Sequence, residues 1–203
     1  SAIIAAGVEN IITKINSFEK AMYDKEIKKY KIESARLKEW DYSKPWWYYI
    51  TINTKDHKHY FGRIESYKMM LNDLGKIAET CWENIINHYP MVELDYYVIM
   101  PNHLHGIIIL NSTVETGHAP SLQQNNVKQN DSSTNTPSLS NIIGSFKSAV
   151  TKQIHQTGYL NFKWQRSFYD RIIRNETELF NIRKYIEQNP LKWDLENELE
   201  NLY

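Results

Sequence analysis

Asp95-Tyr-Tyr-Val-Ile-Met-Pro-Asn-His-Leu-His-Gly-Ile-Ile-Ile-Leu110 is the stretch on which the fold turns. Its two apolar halves, Asp95–Met100 and Leu104–Leu110, are rich in β-branched and aromatic residues and read as strands. Pro101-Asn102 between them reads as the corner of a hairpin. Side chains alternate along a strand, so His103 and His105 share one face and Leu104 takes the other. Two imidazoles so placed can reach one divalent ion. Paired histidines in strands are more often hydrogen-bonded or simply exposed than metal-bound, and a two-histidine motif alone does not decide the matter.

Working outward toward the N-terminus, Asn72 is placed to cap a helix with apolar positions Leu74, Ile77, Ala78, Cys81, Trp82, Ile85 and Tyr89, ended by Pro90. This stripe puts Cys81 on a buried face, as packing and not as a nucleophile. Thr54–Lys58 is a polar loop, and Trp46–Asn53 before it reads as a strand entered through the break Asp41-Tyr-Ser-Lys-Pro45. Ile11, Ile15, Phe18 and Met22 recur at helical spacing and predict a helix from residue 8 to about 38.

On the other side, residues 112–137 are built mainly from Ser, Thr, Asn, Gln and Pro and are expected to lack regular structure. A helix follows over Leu139–Gln156, striped by Ile142, Ile143, Phe146, Val150 and Ile154 and stopped by Gly158. Trp164–Arg174 reads as a strand. Asn175 with Glu178 resembles a capping box. It opens a last helix carrying Leu179, Ile182, Tyr185 and Ile186, which Pro190 is expected to end. The order β, α, a β-pair, α, β, α predicts an α+β fold, an antiparallel sheet with helices packed on it.

Composition removes several classes of function. The 203 residues carry 24 basic and 24 acidic side chains, which excludes nucleic-acid binding through bulk positive charge but not through a local basic face. The segment from Ser138 to Asp194 holds nine Lys and Arg against five Asp and Glu. One cysteine excludes a disulfide framework and a cysteine-based zinc cluster. No apolar run is long enough to span a bilayer. Ser1–Gly7 is apolar but too short for a signal peptide and lacks a basic leader, so the expected location is the cytoplasm.

Tyr185 and Asn189 lie four residues apart and so share a helix face. An amide oxygen is a reasonable ligand for a hard cation. The plain alternative is that Tyr185 packs on the sheet and Asn189 caps the helix end.

Together the motifs resemble a known family. Tyr97-Val-Ile-Met-Pro-Asn-His-Leu-His-Gly106 resembles the His–hydrophobe–His (HUH) signature of single-tyrosine transposases. Trp164-Gln-Arg-Ser-Phe-Tyr-Asp-Arg-Ile-Ile-Arg174, with Tyr185-Ile-Glu-Gln-Asn-Pro190 after it, is similar to the C-terminal half of that family, and Arg36-Leu-Lys-Glu-Trp-Asp-Tyr42 to its start. The type most resembled is the REP-associated tyrosine transposase, over about residues 34–112 and 138–193. The helix before residue 34 and the polar insertion depart from the family pattern.

The resemblance implies a ferredoxin-like HUH nuclease domain over residues 39–203, with residues 1–38 as a helical extension. It implies an enzyme that cleaves and rejoins single-stranded DNA beside hairpins through a 5′-phosphotyrosine. Tyr185 matches the nucleophile. His103, His105 and Asn189 match the ligands of a divalent metal, Mg²⁺ or Mn²⁺. Lys147, Arg166, Arg171 and Arg174 are the expected DNA contacts, since they lie in or beside the similar segments. The implied partner is single-stranded DNA with hairpin structure, and a homodimer is one assembly the resemblance allows. The alternative is an inactive or domesticated hairpin-binding protein of the same fold.

Overall fold

A computed structural model of the chain describes residues 39–112 and 137–200, with side chains through residue 196. The helix expected over residues 8–38 and nearly all of the polar insertion lie outside these residues.

The elements run β1 (Trp46–Asn53), a 3₁₀ turn at Lys55–His57, β2 (Gly62–Glu65), β3 (Lys68–Leu71), α1 (Asp73–Glu83), α2 (Ile85–His88), β4 (Val92–Ile99), β5 (His103–Leu110), α3 (Leu139–Gln156), β6 (Tyr169–Ile172) and α4 (Glu176–Glu200). Four strands form an antiparallel sheet in the order β4-β5-β1-β6. With α1 and α3 as the two crossovers, this is the ferredoxin-like arrangement.

Alternation divides the sheet into two faces. On one, Tyr48, Ile50 and Ile52 of β1 and Leu104, Ile108 and Leu110 of β5 pack with Ala78 and Trp82 of α1 and with Ile142, Phe146 and Val150 of α3. Burying each large apolar side chain here contributes about 1.5–3 kcal/mol. The indole of Trp82 lies over Gly106, where a Cβ would come within 2.4 Å of it. On the other face, α4 covers Tyr49 and His105. Leu179, Ile182 and Ile186 are the buried apolar residues in the part of that helix before Pro190. The alternation along β1 and β5 therefore puts hydrophobic packing behind the histidines and α4 in front of them.

The caps act locally. Asn72 accepts the Gly75 N–H at 2.9 Å and starts α1. Ser138 caps α3 by accepting the Asn141 N–H. Asn175 accepts the Glu178 N–H at 2.8 Å. The return half of the expected capping box is different. Glu178 accepts the Arg174 N–H at 2.9 Å and pairs with Arg171, so it fastens β6 to α4.

Several elements differ from the sequence expectation. Strand β6 covers only Tyr169–Ile172, not Trp164–Arg174. Trp164 makes a single bridge to Thr54. The carbonyls of Gln165 and Arg166 turn to accept from the Lys147 ammonium, at 2.6 and 3.1 Å. The helix expected over residues 73–89 divides at Asn84 into α1 and α2. Strand β4 begins at Val92, three residues early, and carries an irregularity between Leu94 and Tyr97. The polar loop after β1 contains the 3₁₀ turn.

Helix α4 does not stop at Pro190 but runs through it to Glu200. Proline removes one N–H, hence one bond to the Ile186 carbonyl. The turns beyond it are held from outside the helix. Leu195 is buried, Trp193 lies against His103 and His59, and Asp194 accepts the Tyr67 N–H at 3.0 Å. That last bond grips the β2–β3 hairpin, which the sequence reading missed. Its two turn residues, Ser66 and Tyr67, have φ of 49° and 64°, the mirror-type turn that suits strand twist.

Candidate active site

The site is assembled where β5, the end of β1 and the middle of α4 meet. The register places Thr51 opposite His105 and Asn53 opposite His103, so all four point toward α4. The two imidazole rings lie 4.5 Å apart, centroid to centroid, edge to face. From α4 the Tyr185 hydroxyl comes within 3.5 Å of His105 Nε2. Asn189, one turn further on and 6% exposed, is close enough to both groups to influence the titration of His103 and of Tyr185. Thus the structure brings Tyr185, His103, His105 and Asn189 into one cluster.

Each histidine is held by its Nδ1. For His103, Asn102 Oδ1 lies 2.6 Å from Nδ1, and the Asn102 amide nitrogen donates to the His57 carbonyl at 3.1 Å. Asn102 Oδ1 is therefore the acceptor, and Nδ1 carries the proton. For His105, Nδ1 lies 2.8 Å from both the Tyr49 hydroxyl and Thr51 Oγ1. A proton on Nδ1 satisfies these contacts as well. In His103, and in His105 in the tautomer with its proton on Nδ1, the Nε2 lone pair is left for the site, the arrangement that orients metal-ligating histidines.

Burial sets the charge states. It pushes His103 down to about 4, with the nearby His57 charge adding to the effect and Asn189 partly opposing it. His105, fully enclosed, is held well below the ordinary imidazole range by burial and then by His103. Both rings are neutral at neutral pH, the form that binds a cation. Tyr185 is pushed upward by burial, while hydrogen bonds from Asn189 and Tyr49 pull it back. Tyr49 is raised well above the usual phenol range by burial, so it remains a neutral hydroxyl.

Among the described residues no three His, Cys, Asp or Glu side chains are grouped to hold a metal ion. The donor set that is present has two neutral nitrogens and one amide oxygen. This fits a divalent cation that keeps several positions open, with imidazole and carbonyl donors both acceptable to Mn²⁺ and the oxygen suited to Mg²⁺.

The four expected DNA contacts are not gathered in one place. Lys147 lies on α3 and its ammonium is engaged by the Gln165 and Arg166 carbonyls. Arg166 is exposed beside it. Arg171 and Arg174 lie at the other end of that chain segment, both tied to Glu178, the first through its side chain and the second through its backbone.

Sequence reasoning missed Tyr49, Thr51, Asn102 and Trp193. Thr51 is visible as the one aliphatic hydroxyl in its strand, and Asn102 as the neighbour of His103. Their roles depend on register, which no spacing within one strand reveals. Trp193 lay beyond the proline taken as the helix end.

No protein-family model matches the chain. An uncharacterized protein of Haemophilus influenzae is 38% identical over 161 residues, covering 79% of this chain and 89% of the relative. Among solved structures, a REP-associated tyrosine transposase bound to a REP hairpin superposes with a TM-score of 0.50 at 19% identity, over 78% of this chain and 73% of its own. That similarity is one of fold.

Proposed function

The chain belongs to one family with the Haemophilus influenzae protein and has the fold of a REP-associated tyrosine transposase, and from that premise we propose that it is a single-tyrosine transposase. It cleaves and rejoins single-stranded DNA beside hairpins. The observation that carries this reading is the convergence of the Tyr185 hydroxyl with His105 Nε2, at 3.5 Å, with Asn189 on the next turn. The hairpin bound to the REP-associated tyrosine transposase of similar fold supports the choice of substrate.

In this reading the Tyr185 phenol loses its proton and its oxygen bonds to phosphorus. The bond from phosphorus to the 3′ oxygen breaks, that oxygen leaves with the electron pair and takes up a proton from water to become a 3′-hydroxyl, and the 5′ phosphate stays on the tyrosine. A phenol raised by burial is a poor nucleophile without help. Asn189 and Tyr49 supply part of it by hydrogen-bonding the oxygen where charge develops. His103, His105 and Asn189 would hold Mg²⁺ or Mn²⁺. When bound, the ion neutralises charge on the phosphate. Because the ester conserves the bond energy, attack by a second 3′-hydroxyl reverses the step and joins strands.

The test is a labelled DNA hairpin with a single-stranded flank, incubated with Mg²⁺ or Mn²⁺ and run on a denaturing gel. Wild type is expected to shift as a covalent adduct, and Tyr185→Phe to bind without forming it. Adduct at wild-type level from the Phe variant would transfer the nucleophile to another tyrosine, Tyr169 first. DNA binding with no adduct from wild type would favour an inactive hairpin-binding protein. Full cleavage after exhaustive chelation would remove the metal from the mechanism.

A further inference from the structure

A cleft of about 580 Å³, open to solvent, lies between α3 and the segment 163–166. Its lining includes Lys147, Ser148, Lys152, Lys163 and Arg166, and no acidic side chain. Lys147 is spent on the Gln165 and Arg166 carbonyls, so it shapes the wall. Lys152, Lys163 and Arg166 are exposed, and none is ion-paired with a described residue. Three free cations around a concave surface are a seat for phosphate.

The kind of nucleic acid follows from what the cleft lacks. Unpaired strands are gripped by aromatic faces on which bases stack. Both aromatic rings of the lining are engaged: Trp164 packs in the core against Phe61, Phe146 and Phe162 and its N–H donates to the Lys147 carbonyl, while the half-buried His155 is tied through Nε2 to the Phe162 carbonyl at 3.0 Å. Cations and hydroxyls without a stacking platform suit a backbone whose bases are already paired.

The cleft is also placed for such a role. The Gln165 N–H donates to the Asn53 carbonyl at 2.9 Å, and Asn53 stands opposite His103 in the sheet. The lip of the cleft is thus two strand spacings, roughly 10 Å, from the histidines. The Gln165 side chain reaches His57 Nε2 at 3.0 Å across that gap.

We propose that this cleft holds the sugar-phosphate backbone of a DNA duplex arm, through Lys152, Lys163 and Arg166, and that the strand leaving the arm passes Gln165 toward Tyr185. The second half rests on the transposase reading; the first does not.

The experiment measures binding of two probes to the full chain carrying Tyr185→Phe, which separates binding from cleavage. One probe is a DNA stem-loop with a single-stranded flank, and the other is the flank alone. In Lys152→Glu/Lys163→Glu, affinity for the stem-loop should fall at least about tenfold. The slope of log affinity against log salt should become shallower by about 2, the value for two lost phosphate contacts. Affinity for the flank alone should not change, and Lys152→Arg/Lys163→Arg should behave as the parent. Equal losses on both probes would make the cleft a general or single-strand surface and overturn the proposal, as would no loss on either. A wild-type chain that never forms adduct, yet whose variant shows the stem-specific loss, would keep the cleft and discard the transposase.

Discussion

His103 is neutral because the fold encloses it, and that has a pH signature. Its value is 6.5 when exposed and about 4 in the folded chain. Above pH 6.5 both states keep the ring neutral, and stability is indifferent to the group. Between 6.5 and 4 the unfolded chain takes up a proton that the folded chain refuses, so stability falls as pH falls. The loss reaches at most about 3 kcal/mol near pH 4. Urea unfolding at pH 7, 6 and 5 in the presence of chelator should show this decline, with a shallower one in His103→Asn. A stability that stayed flat from pH 7 to 5 in the wild type would mean that the ring is solvated. The same residue illustrates what was legible at this scale. Spacing within one strand or one helix puts each pair, His103 with His105 and Tyr185 with Asn189, on one face, and the family resemblance is what joins the two pairs into one site. The groups that set their tautomers, Asn102, Thr51 and Tyr49, come from a neighbouring strand or a turn, where the pairing partner is knowable only once the chain has folded.

At the scale of elements, the Lys147 ammonium is one of the anchors of the segment 164–168, beside the Trp164 bridge to Thr54 and the Gln165 N–H bond to Asn53. Lys147→Met keeps the stem of the side chain and removes the donor from the Gln165 and Arg166 carbonyls. The expected cost is about 1–3 kcal/mol, read as a lower thermal midpoint, with an unchanged far-ultraviolet spectrum. A midpoint equal to wild type would mean that water replaces the ammonium without loss. Helices α1 and α3 were readable because their stripes are long and their caps, Asn72 and Ser138, are the residue types that caps demand. The β2–β3 hairpin was not. Its strands have four residues each, and its turn is Ser66-Tyr67 where a mirror-type turn ordinarily announces itself with Asn-Gly. The course of α4 past Pro190 was hidden for a different reason. Proline weighs against a helix locally, and the contacts of Trp193, Asp194 and Leu195 that outweigh it are tertiary.

For the molecule as a whole, strand β5 is the shared wall between two compartments. Leu104 and Gly106 look into the core under α1 and α3, while His103 and His105 look toward α4. Gly106→Ala would drive a methyl group into the Trp82 indole, at 2.4 Å before any adjustment. Overpacking of this kind costs roughly 1–3 kcal/mol. A drop in thermal midpoint with altered tryptophan fluorescence would register it, and an unchanged midpoint would show that Trp82 has room to move. The backbone that yields is the one carrying His105, so the same substitution should weaken whatever chemistry the other face performs. Positions 106 and 82 are thus genetically linked. A selection for revertants of Gly106→Ala should recover smaller residues at 82, out of reach of any DNA, and leave the histidines as they are.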